Sequence, residues 1–277
     1  MKKILALTLA ALLTLALFAS CGKEKESTEP ETETETTTEE IPVVLPKTMD
    51  TEDEETTAAE TTTEAETTTE AAAKPSSKAE IIAYVNEAMQ NVRKDKPGYT
   101  FRERTNIDDS KMKTSSNALN AVIPGIMRTV KGTYDWTDPK TTTKGADHSD
   151  VMPKVELQSS WVKSASCTES GDTYQLRINF IDEHAENLVN EKSTMHGKVM
   201  SAMVKSDIED GAGKVGVKII KFNSSYTGSY IDLTIEKNTG TVKKITAYIN
   251  QLVDFDAKLG LTVGASLPIA DEKVFTF

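Results

Sequence analysis

The sequence predicts an α+β domain in which N-terminal helices pack on a mostly antiparallel, meander-like β-sheet, after a disordered tether. Two observations predict this class. Apolar residues first recur at helical spacing after residue 75, and most of the later chain alternates apolar and polar residues with a period of two. Helices followed by runs of strands are typical of α+β folds, since parallel α/β folds alternate the two.

A capping box marks the start of the first helix. Ser77 and Glu80 stand three residues apart, so that each side chain can satisfy a free backbone N–H group of the other residue. Apolar residues then follow at helical spacing: Ile81, Val85, Met89 and Val92. The Lys-Pro-Gly sequence at residues 96–98 ends this helix, and residues 99–101 favour a short strand.

Two further apolar stripes have helical spacing. One extends over residues 119–130, where Pro124 must break or kink the helix. The other comprises Met195, Val199, Ala202 and Met203. Both stripes predict helices, the second of them between strands of the sheet.

Period-two alternation predicts the first strands of the sheet. Residues 174–180 alternate, and the Glu-Ser-Gly-Asp sequence at 169–172 predicts a turn from a preceding strand around residues 161–167. Residues 231–235 alternate in the same way, and residues 237–240 have the composition of a hairpin turn.

The later strands change parity. Val242 is out of phase with Ile245, which predicts a bulge at residues 243–244. Alternation continues through residues 255–265 and is expected to end before Pro268.

The first twenty residues have the form of a secretory signal. Residues 1–3 are positively charged, and a mostly apolar run follows from Ile4 to Ala19. This run is short for a permanent membrane span, which needs about 20 apolar residues. We therefore expect residues 1–20 to be cleaved as a signal peptide.

The exit from this run, Leu-Phe-Ala-Ser-Cys at residues 17–21, resembles the lipobox of bacterial lipoproteins. The resemblance covers only this segment, and Phe18 replaces the more usual Leu. It implies that the Cys21 thiol receives a diacylglycerol and that the protein is held on the extracellular face of the cell membrane. An ordinary signal peptide with an incidental Cys, or an uncleaved anchor, is the alternative.

The acidity of the chain belongs to one segment. Residues 22–74 hold 17 acidic residues against four Lys, whereas residues 75–277 are balanced within a whole-chain net charge of −11. A Thr/Glu-rich segment of this kind cannot bury enough apolar surface to fold, so residues 21–74 are a predicted disordered tether. No basic stripe concentrates charge for a nucleic-acid partner. The remaining residues, 75–277, are predicted to form a single domain.

Residues for catalysis or metal binding do not form a motif. The histidines are His148, His184 and His196, and no two of them share the spacing that places metal ligands on one helical face. His196 has no acidic neighbour in the sequence. Cys167 is the only thiol left once Cys21 is acylated, so we interpret it as a small buried strand residue and expect no intramolecular disulfide.

One glycine-rich stretch and one acidic stretch resemble ligand-binding motifs but do not match them. Residues 211–215, Gly-Ala-Gly-Lys-Val, lack the first Gly and the final Ser or Thr of a phosphate loop, and are interpreted as a turn. The acids at 207–210 do not follow the EF-hand order. The sequence therefore predicts no catalytic residue, no metal site and no cofactor.

Residues 131–153 have no clear periodicity but contain Tyr134 and Trp136. Long irregular loops within a domain are often functional. These aromatics are the candidate ligand-binding residues, as in sugar or peptide recognition, and the alternative is a strand or loop packed on the core.

The leading hypothesis is a lipid-anchored, surface-displayed binding or interaction domain whose extracellular ligand is unknown. In this layout the chain looks like the many uncharacterised extracellular lipoproteins of Gram-positive bacteria, and its partners are the membrane, through the lipid, and that ligand. A second hypothesis is a lipid carrier with an apolar cavity between helices and sheet, lined by helical methionines: Met89, Met127, Met195 and Met203. A third is an extracellular enzyme of unknown type.

Overall fold

The computed structural model describes residues 73–108, 110–115, 134–212, 218–259 and 261–277. This part of the chain is mostly antiparallel β-sheet with few helices. The helices are α1 (Lys78–Asp95), α2 (Met195–Met200) and α3 (Lys205–Ala212). The first strands are β1 (Tyr99–Ile107), β2 (Lys113–Thr114), β3 (Lys140–Thr142), β4 (Val162–Ser170) and β5 (Thr173–Phe180). They are followed by β6 (Glu183–Ala185), β7 (Lys218–Tyr226), β8 (Tyr230–Glu236), β9 (Val242–Leu259) and β10 (Leu261–Thr276).

All strand pairings among the described residues are antiparallel, and the main path across the sheet is β3-β1-β10-β9-β8-β5-β4. Strands β8, β9 and β10 form the expected meander. The 18-residue β9 is long enough to pair with β8 along its first part and with β7 along its second. Strand β1 pairs with β10, so the first and last strands along the chain are neighbours in the sheet.

Helix α1 begins and ends as predicted. The Ser77 side chain accepts a hydrogen bond from the Glu80 N–H, and the Glu80 carboxylate accepts one from the Ser77 N–H, at 3.2 and 3.0 Å. The helix ends at Lys96, whose backbone is left-handed and whose N–H donates to the Val92 carbonyl. All four predicted apolar positions are buried, together with Ile82 and Ala88.

One face of the sheet contributes to the hydrophobic core. Alternate residues of β5, β8 and β9 are buried, and the largest fully buried side chains include Tyr226, Phe180, Phe222, Phe255 and Phe275. Helix α1 joins this core, and the Tyr84 ring meets the Tyr174 ring of β5 edge to face at 5.9 Å. We call the opposite, more exposed side of these strands the outer face.

The predicted turns and bulge of the sheet are confirmed. Gly171 and Gly240 have positive φ values of 55° and 68° in the two hairpin turns, where a side chain would be strained. The register of β8 against β9 shifts at Thr234/Ile235, so that Lys243 has no opposite residue, which is the expected bulge. The strand predicted at residues 99–101 is longer than expected, and the one predicted at 161–167 begins after a 3₁₀ turn at Ser159–Trp161.

The prediction of a third helix from Met195 to Met203 is wrong in its second half. Helix α2 ends at Met200, because Ser201 adopts a left-handed backbone with φ 64°, and α3 is a separate helix. Met203 is buried outside any helix. Its backbone N–H donates to the Gln251 side chain at 3.1 Å, and its carbonyl accepts from the same amide at 3.0 Å. A buried amide of β9 therefore replaces the helical hydrogen bonds that the periodicity predicted.

The prediction that the last strand ends before Pro268 is also wrong. Residues 255–265 belong to two strands of one hairpin, and β10 continues through Pro268 to Thr276. The Pro268 carbonyl accepts from the Asp108 N–H at 3.2 Å, so the side of Pro268 that lacks an N–H faces the segment between β1 and β2. A proline is tolerated there because it removes no hydrogen bond from the pairing with β9.

The predicted signal peptide at 1–20, Cys21, most of the tether at 21–74 and the helix at 119–130 lie outside the described residues. Most of the glycine-rich stretch at 211–215 lies outside them too. Among the helices that are described, none combines the length and the apolar character needed to cross a membrane.

Candidate functional site: the outer face of the sheet

The outer face carries a row of six polar side chains, one from each of six neighbouring strands. The strand register places them opposite one another in the order Arg104, Glu272, Tyr248, Tyr230, Asn179 and Ser164. We call this set the transverse row. Neighbouring strands are about 4.8 Å apart, so the row extends about 24 Å across the sheet.

The centre of the row is a stack of side chains that we call the arginine–tyrosine cluster. The Tyr230 and Tyr248 rings stack at 5.0 Å between centroids, and the Arg177 guanidinium lies 4.1 Å from the Tyr230 centroid. Arg177 Nε and Nη2 both donate to the Asp232 carboxylate at 2.6 Å. A planar guanidinium suits both contacts, which hold its orientation.

The titration of this cluster follows from its contacts. The hydrogen bond to Asp232 raises the pKa of Arg177 above its ordinary value. Burial raises the pKa of the Tyr230 phenol, so its hydroxyl stays neutral at physiological pH and can both donate and accept. The Arg177 side chain is still 48% exposed, which leaves part of the cluster open to a ligand.

A cavity of about 370 Å³ opens beside the cluster and is lined mainly by hydroxyl, amide and charged groups. Its polar lining consists of Ser166, Thr168, Gln175, Arg177, Asp232, Thr234, Lys244 and Thr246. We call it the hydroxyl groove. The Gln175 amide is held in place, because Thr234 donates to its oxygen at 2.9 Å and its nitrogen donates to Thr173 at 3.1 Å.

The sequence-predicted aromatics lie at the other end of the transverse row. The Trp136 ring is half-buried, and the guanidinium carbons of Arg102 and Arg104 lie 4.5 and 4.7 Å from its centroid. Both contacts are in the range of cation–π interactions. Tyr134 is only partly buried but packs against the hydrophobic core, and its N–H donates to the Thr105 carbonyl at 2.7 Å. Trp136 is therefore the aromatic that reaches the outer face.

The loop that contains these aromatics follows the edge of the sheet. The Thr137 N–H donates to the Glu103 carbonyl at 2.9 Å, and β3 then pairs with the start of β1. The sequence pattern did not predict this edge pairing. A three-residue strand and two isolated backbone hydrogen bonds involve too few residues to produce a periodic pattern.

All three histidines have hydrogen-bond contacts, and those of His148 and His184 are with neutral oxygen atoms. His148 is buried, and its Nδ1 and Nε2 lie 2.7 Å from the carbonyl oxygens of Ala146 and Pro97. His184 is exposed, with its Nδ1 2.9 Å from the Ser225 hydroxyl oxygen. The part of the chain that the structure describes contains no group of three His, Cys, Asp or Glu side chains placed to hold a metal ion.

His196 has no acidic neighbour in the sequence, but the fold brings one to it. Its side chain is 0% exposed, and its Nδ1 lies 2.9 Å from the carboxylate of Glu183, which the short strand β6 brings beside α2. The ring stacks on Tyr226 at 4.4 Å, and neither the His196 Nε2 nor the Tyr226 hydroxyl has a hydrogen-bond partner among the described residues. Both rings are 0% exposed, so we treat this cluster as part of the core.

Cys167 lies on β4, partly buried against the core. Burial raises the pKa of its thiol, which lowers the fraction of reactive thiolate. Cys167 is a strand residue as expected, but it is only partly buried.

Another cavity, of about 410 Å³, lies between helix α1, the β8–β9 hairpin and the C-terminal residue. Its lining mixes apolar side chains, such as Val92, Val242 and Phe277, with polar ones, such as Asn91 and Lys243. We call it the helix–hairpin cavity.

Comparison of the chain with protein-family models, curated proteins and solved structures gives no match. The function must therefore be argued from the geometry of the chain itself.

Proposed function

We propose that this chain is a lipid-anchored protein of the extracellular face of the cell membrane, and that its C-terminal part is a non-enzymatic binding domain. The proposed location rests on the resemblance of residues 17–21 to a lipobox, with Cys21 as the site of lipid attachment. The acidic, Thr/Glu-rich segment that follows would extend the domain away from the membrane by like-charge repulsion.

The ligand-binding surface in this proposal is the transverse row with the hydroxyl groove. One observation carries it: the arginine–tyrosine cluster holds Arg177 between Tyr230 and Asp232 on an open face beside a polar cavity. Side chains that are already ordered lose little conformational entropy when a ligand binds, so they favour recognition. Trp136 belongs to the same surface at its far end.

The binding role is tested on cells that display the chain. Fluorescent neutral polysaccharides, anionic polysaccharides and unfolded proteins are offered, and retention on the cells is measured. We expect at least one class to be retained, and the pair Tyr230→Ala with Tyr248→Ala to abolish retention. Lys192→Ala, on the 3₁₀ turn at Glu191–Ser193, is the matched surface control. Equal retention by the double variant and the control would disprove the binding surface.

The anchor is tested separately. Globomycin blocks removal of a lipoprotein signal, so it should cause the uncleaved precursor to accumulate. A Cys21→Ala chain should not be acylated or processed at this site. Normal processing of that variant would overturn the anchor without affecting the binding surface.

A lipid carrier is the second candidate, and the helix–hairpin cavity favours it, because it lies between α1 and the sheet as a carrier requires. This function would also need the finer arrangement predicted from the sequence, with several N-terminal helices, including residues 119–130, over the sheet. Three of the expected cavity residues, Met89, Met195 and Met203, instead lie in the hydrophobic core, and the cavity lining is partly polar.

Native mass spectrometry of the gently extracted full chain decides between these functions. A carrier retains lipid non-covalently, in addition to the acyl chains on Cys21, and Thr241→Trp at the rim of the cavity should reduce that lipid. The repeated absence of non-covalently bound lipid would exclude the carrier function.

A further inference from the structure

We propose that the ligand of the transverse row is a neutral, extended polysaccharide that lies across the strands between Trp136 and the hydroxyl groove. The inference rests on the proposed function, since it names the ligand class of the same face. The charge, the hydrogen-bonding groups, the rigidity and the length of the row support it.

The charges of the row are already paired within the protein. Arg104 Nη2 lies 2.7 Å from Glu272 Oε2, and two donor atoms of Arg177, Nε and Nη2, are engaged by Asp232. An anionic ligand at either guanidinium would lie beside a carboxylate that already balances its charge. Beside the row and the groove, Arg102 and Lys244 have no ion pair among the described residues, but they lie on β1 and β9 with β10 between them. This part of the face therefore lacks the concentrated positive charge that an anionic polymer needs.

The polar groups that the row offers match the chemistry of sugar hydroxyls. A sugar hydroxyl both donates and accepts a hydrogen bond, and so do the phenol of Tyr230 and the hydroxyl of Ser164. The Gln175 and Asn179 amides add planar donors and acceptors. No further proton transfer or charge neutralisation is required for these groups to pair with a neutral ligand.

The row is rigid before any ligand arrives. Tyr230 lies between the Tyr248 ring and the Arg177 guanidinium, and Asn179 donates to Ser164 at 3.0 Å. Hydroxyl groups on a solvated polymer gain little from each hydrogen bond, about 1 kcal/mol, so binding is favourable only when the protein side loses little entropy.

The length of the row favours a polymer over a single sugar. Its six strands span about 24 Å, with Trp136 beyond the Arg104 end and the hydroxyl groove beside the other. A peptide that adds as a strand could pair only along the outer edge of β4, because β10, β9, β8 and β5 are paired on both sides. A ligand that lies across the row must instead be recognised by side chains, as a glycan would be.

Isothermal titration of the full chain in detergent tests the ligand class. The probes are neutral hexasaccharides of glucose, mannose and N-acetylglucosamine, with polygalacturonate and an unfolded peptide for comparison. We expect at least one hexasaccharide to bind, with a Kd that changes less than about twofold between low salt and about 1 M salt, because few ions are released. Tyr230→Phe with Tyr248→Phe keeps the stack but removes two hydroxyls, and should weaken binding about tenfold.

The control for this experiment is Lys192→Ala, which should bind as the unaltered chain does, and thermal unfolding verifies that each variant is folded. Binding of polygalacturonate or the peptide, without any hexasaccharide, overturns the inference. The display experiment separates the two claims: if retention on cells still requires Tyr230 and Tyr248, the binding surface stands while the neutral glycan is excluded. If it does not, both fail.

Discussion

Gly197 is the third residue of helix α2 and lies against the 3₁₀ turn at Glu191–Ser193. A β-carbon at this position would be 1.9 Å from the Glu191 carbonyl oxygen, far inside van der Waals contact. The contact is with backbone, so the whole turn would have to move. Only glycine fits here, because of close packing and not because of an unusual φ angle.

Gly197→Ala should therefore destabilise the protein by about 3 kcal/mol, as overpacking does in well-packed interiors. Denaturant unfolding measures the change. Gly264→Ala is the matched control, since the nearest atom to its β-carbon is a side-chain oxygen of Asp256, at 3.0 Å, which can move. Equal stability of the two variants would show that the Glu191 turn yields at little cost.

Glu183 makes the free energy of unfolding depend on pH. Burial acts to raise the pKa of Glu183, but hydrogen bonds from the His196 ring and from the backbone N–H groups of His196 and Met195 outweigh it. The pKa lies below its ordinary value of 4.5 as a result. A carboxylate with a lowered pKa stabilises the folded state above the unfolded pKa, and this contribution is lost as the pH falls through the folded pKa.

Glu183→Gln should cost about 2 kcal/mol at neutral pH, where it removes charge-assisted hydrogen bonds. Below pH 4.5 the difference from the unaltered chain should shrink, because Glu183 itself becomes protonated. Free energies of unfolding between neutral pH and acid, measured for both proteins, test the sign. A difference that grows in acid would contradict this account.

At the scale of elements, helix α1 is the segment whose sequence and structure agree most closely. Its capping box holds Glu80 against the backbone of Ser77 and Ser76, and these hydrogen bonds lower the pKa of Glu80 to about 2. The amphipathic stripe then buries one side of the helix in the core. The capping hydrogen bonds and the helical periodicity both depend on residues that are close in the sequence, so the sequence predicts both directly.

Ser77→Ala should destabilise the protein by about 1 kcal/mol, the usual effect of losing an N-cap. The stabilisation from Glu80 should be fully present above pH 4.5 and disappear as the pH falls towards 2. Thermal unfolding of the two proteins across that range measures both effects. Asn91→Ala, at an exposed position of the same helix, should instead leave stability unchanged or slightly raised, because alanine favours helix.

Helix α2 shows where element-level reasoning fails. The spacing of Met195, Val199, Ala202 and Met203 suits one helix, but Ser201 turns left-handed and Gln251 takes over the hydrogen bonds of Met203. Gln251 is far away in the sequence. The apolar spacing records only that these side chains are buried, and burial is compatible with a helix or with an irregular segment beside a polar partner.

At the scale of the whole molecule, the sheet depends on pairing between its most distant parts. Strand β1 pairs from Thr100 to Ile107 with β10 from Thr276 to Ile269, and β10 also pairs with β9 from Lys244 to Leu259. The buried side chains of Ile269 and Phe275 join the core from this strand. Removing the end of the chain would leave β1 with only its three-residue pairing to β3, and would open one side of the first part of β9.

Deletion of residues 268–277 should therefore abolish cooperative unfolding, whereas Phe275→Ala should cost about 4 kcal/mol and leave a folded protein. Circular dichroism during heating distinguishes the two outcomes. A truncated chain that still melts cooperatively would show that β1 and the first part of β9 hold their places without the second half of β10.

The sequence by itself determined the features that depend on neighbouring residues. These are the resemblance at Cys21, the charge separation between tether and domain, the cap of α1, the hairpin turns and the bulge at Lys243. It also predicted an antiparallel sheet, because period-two alternation records a strand with one buried face. The lipid anchor and the disordered tether stay predictions.

Only the tertiary structure decided which strands are neighbours, and with them the candidate site. Arg104, Glu272, Tyr248, Tyr230, Asn179 and Ser164 are scattered along the chain and come into one row through the register of six strands. Likewise, Glu183 meets His196 only because β6 lies beside α2. Alternation reveals which face of a strand a residue occupies. It cannot reveal what lies opposite, because that depends on long-range pairing of the backbone.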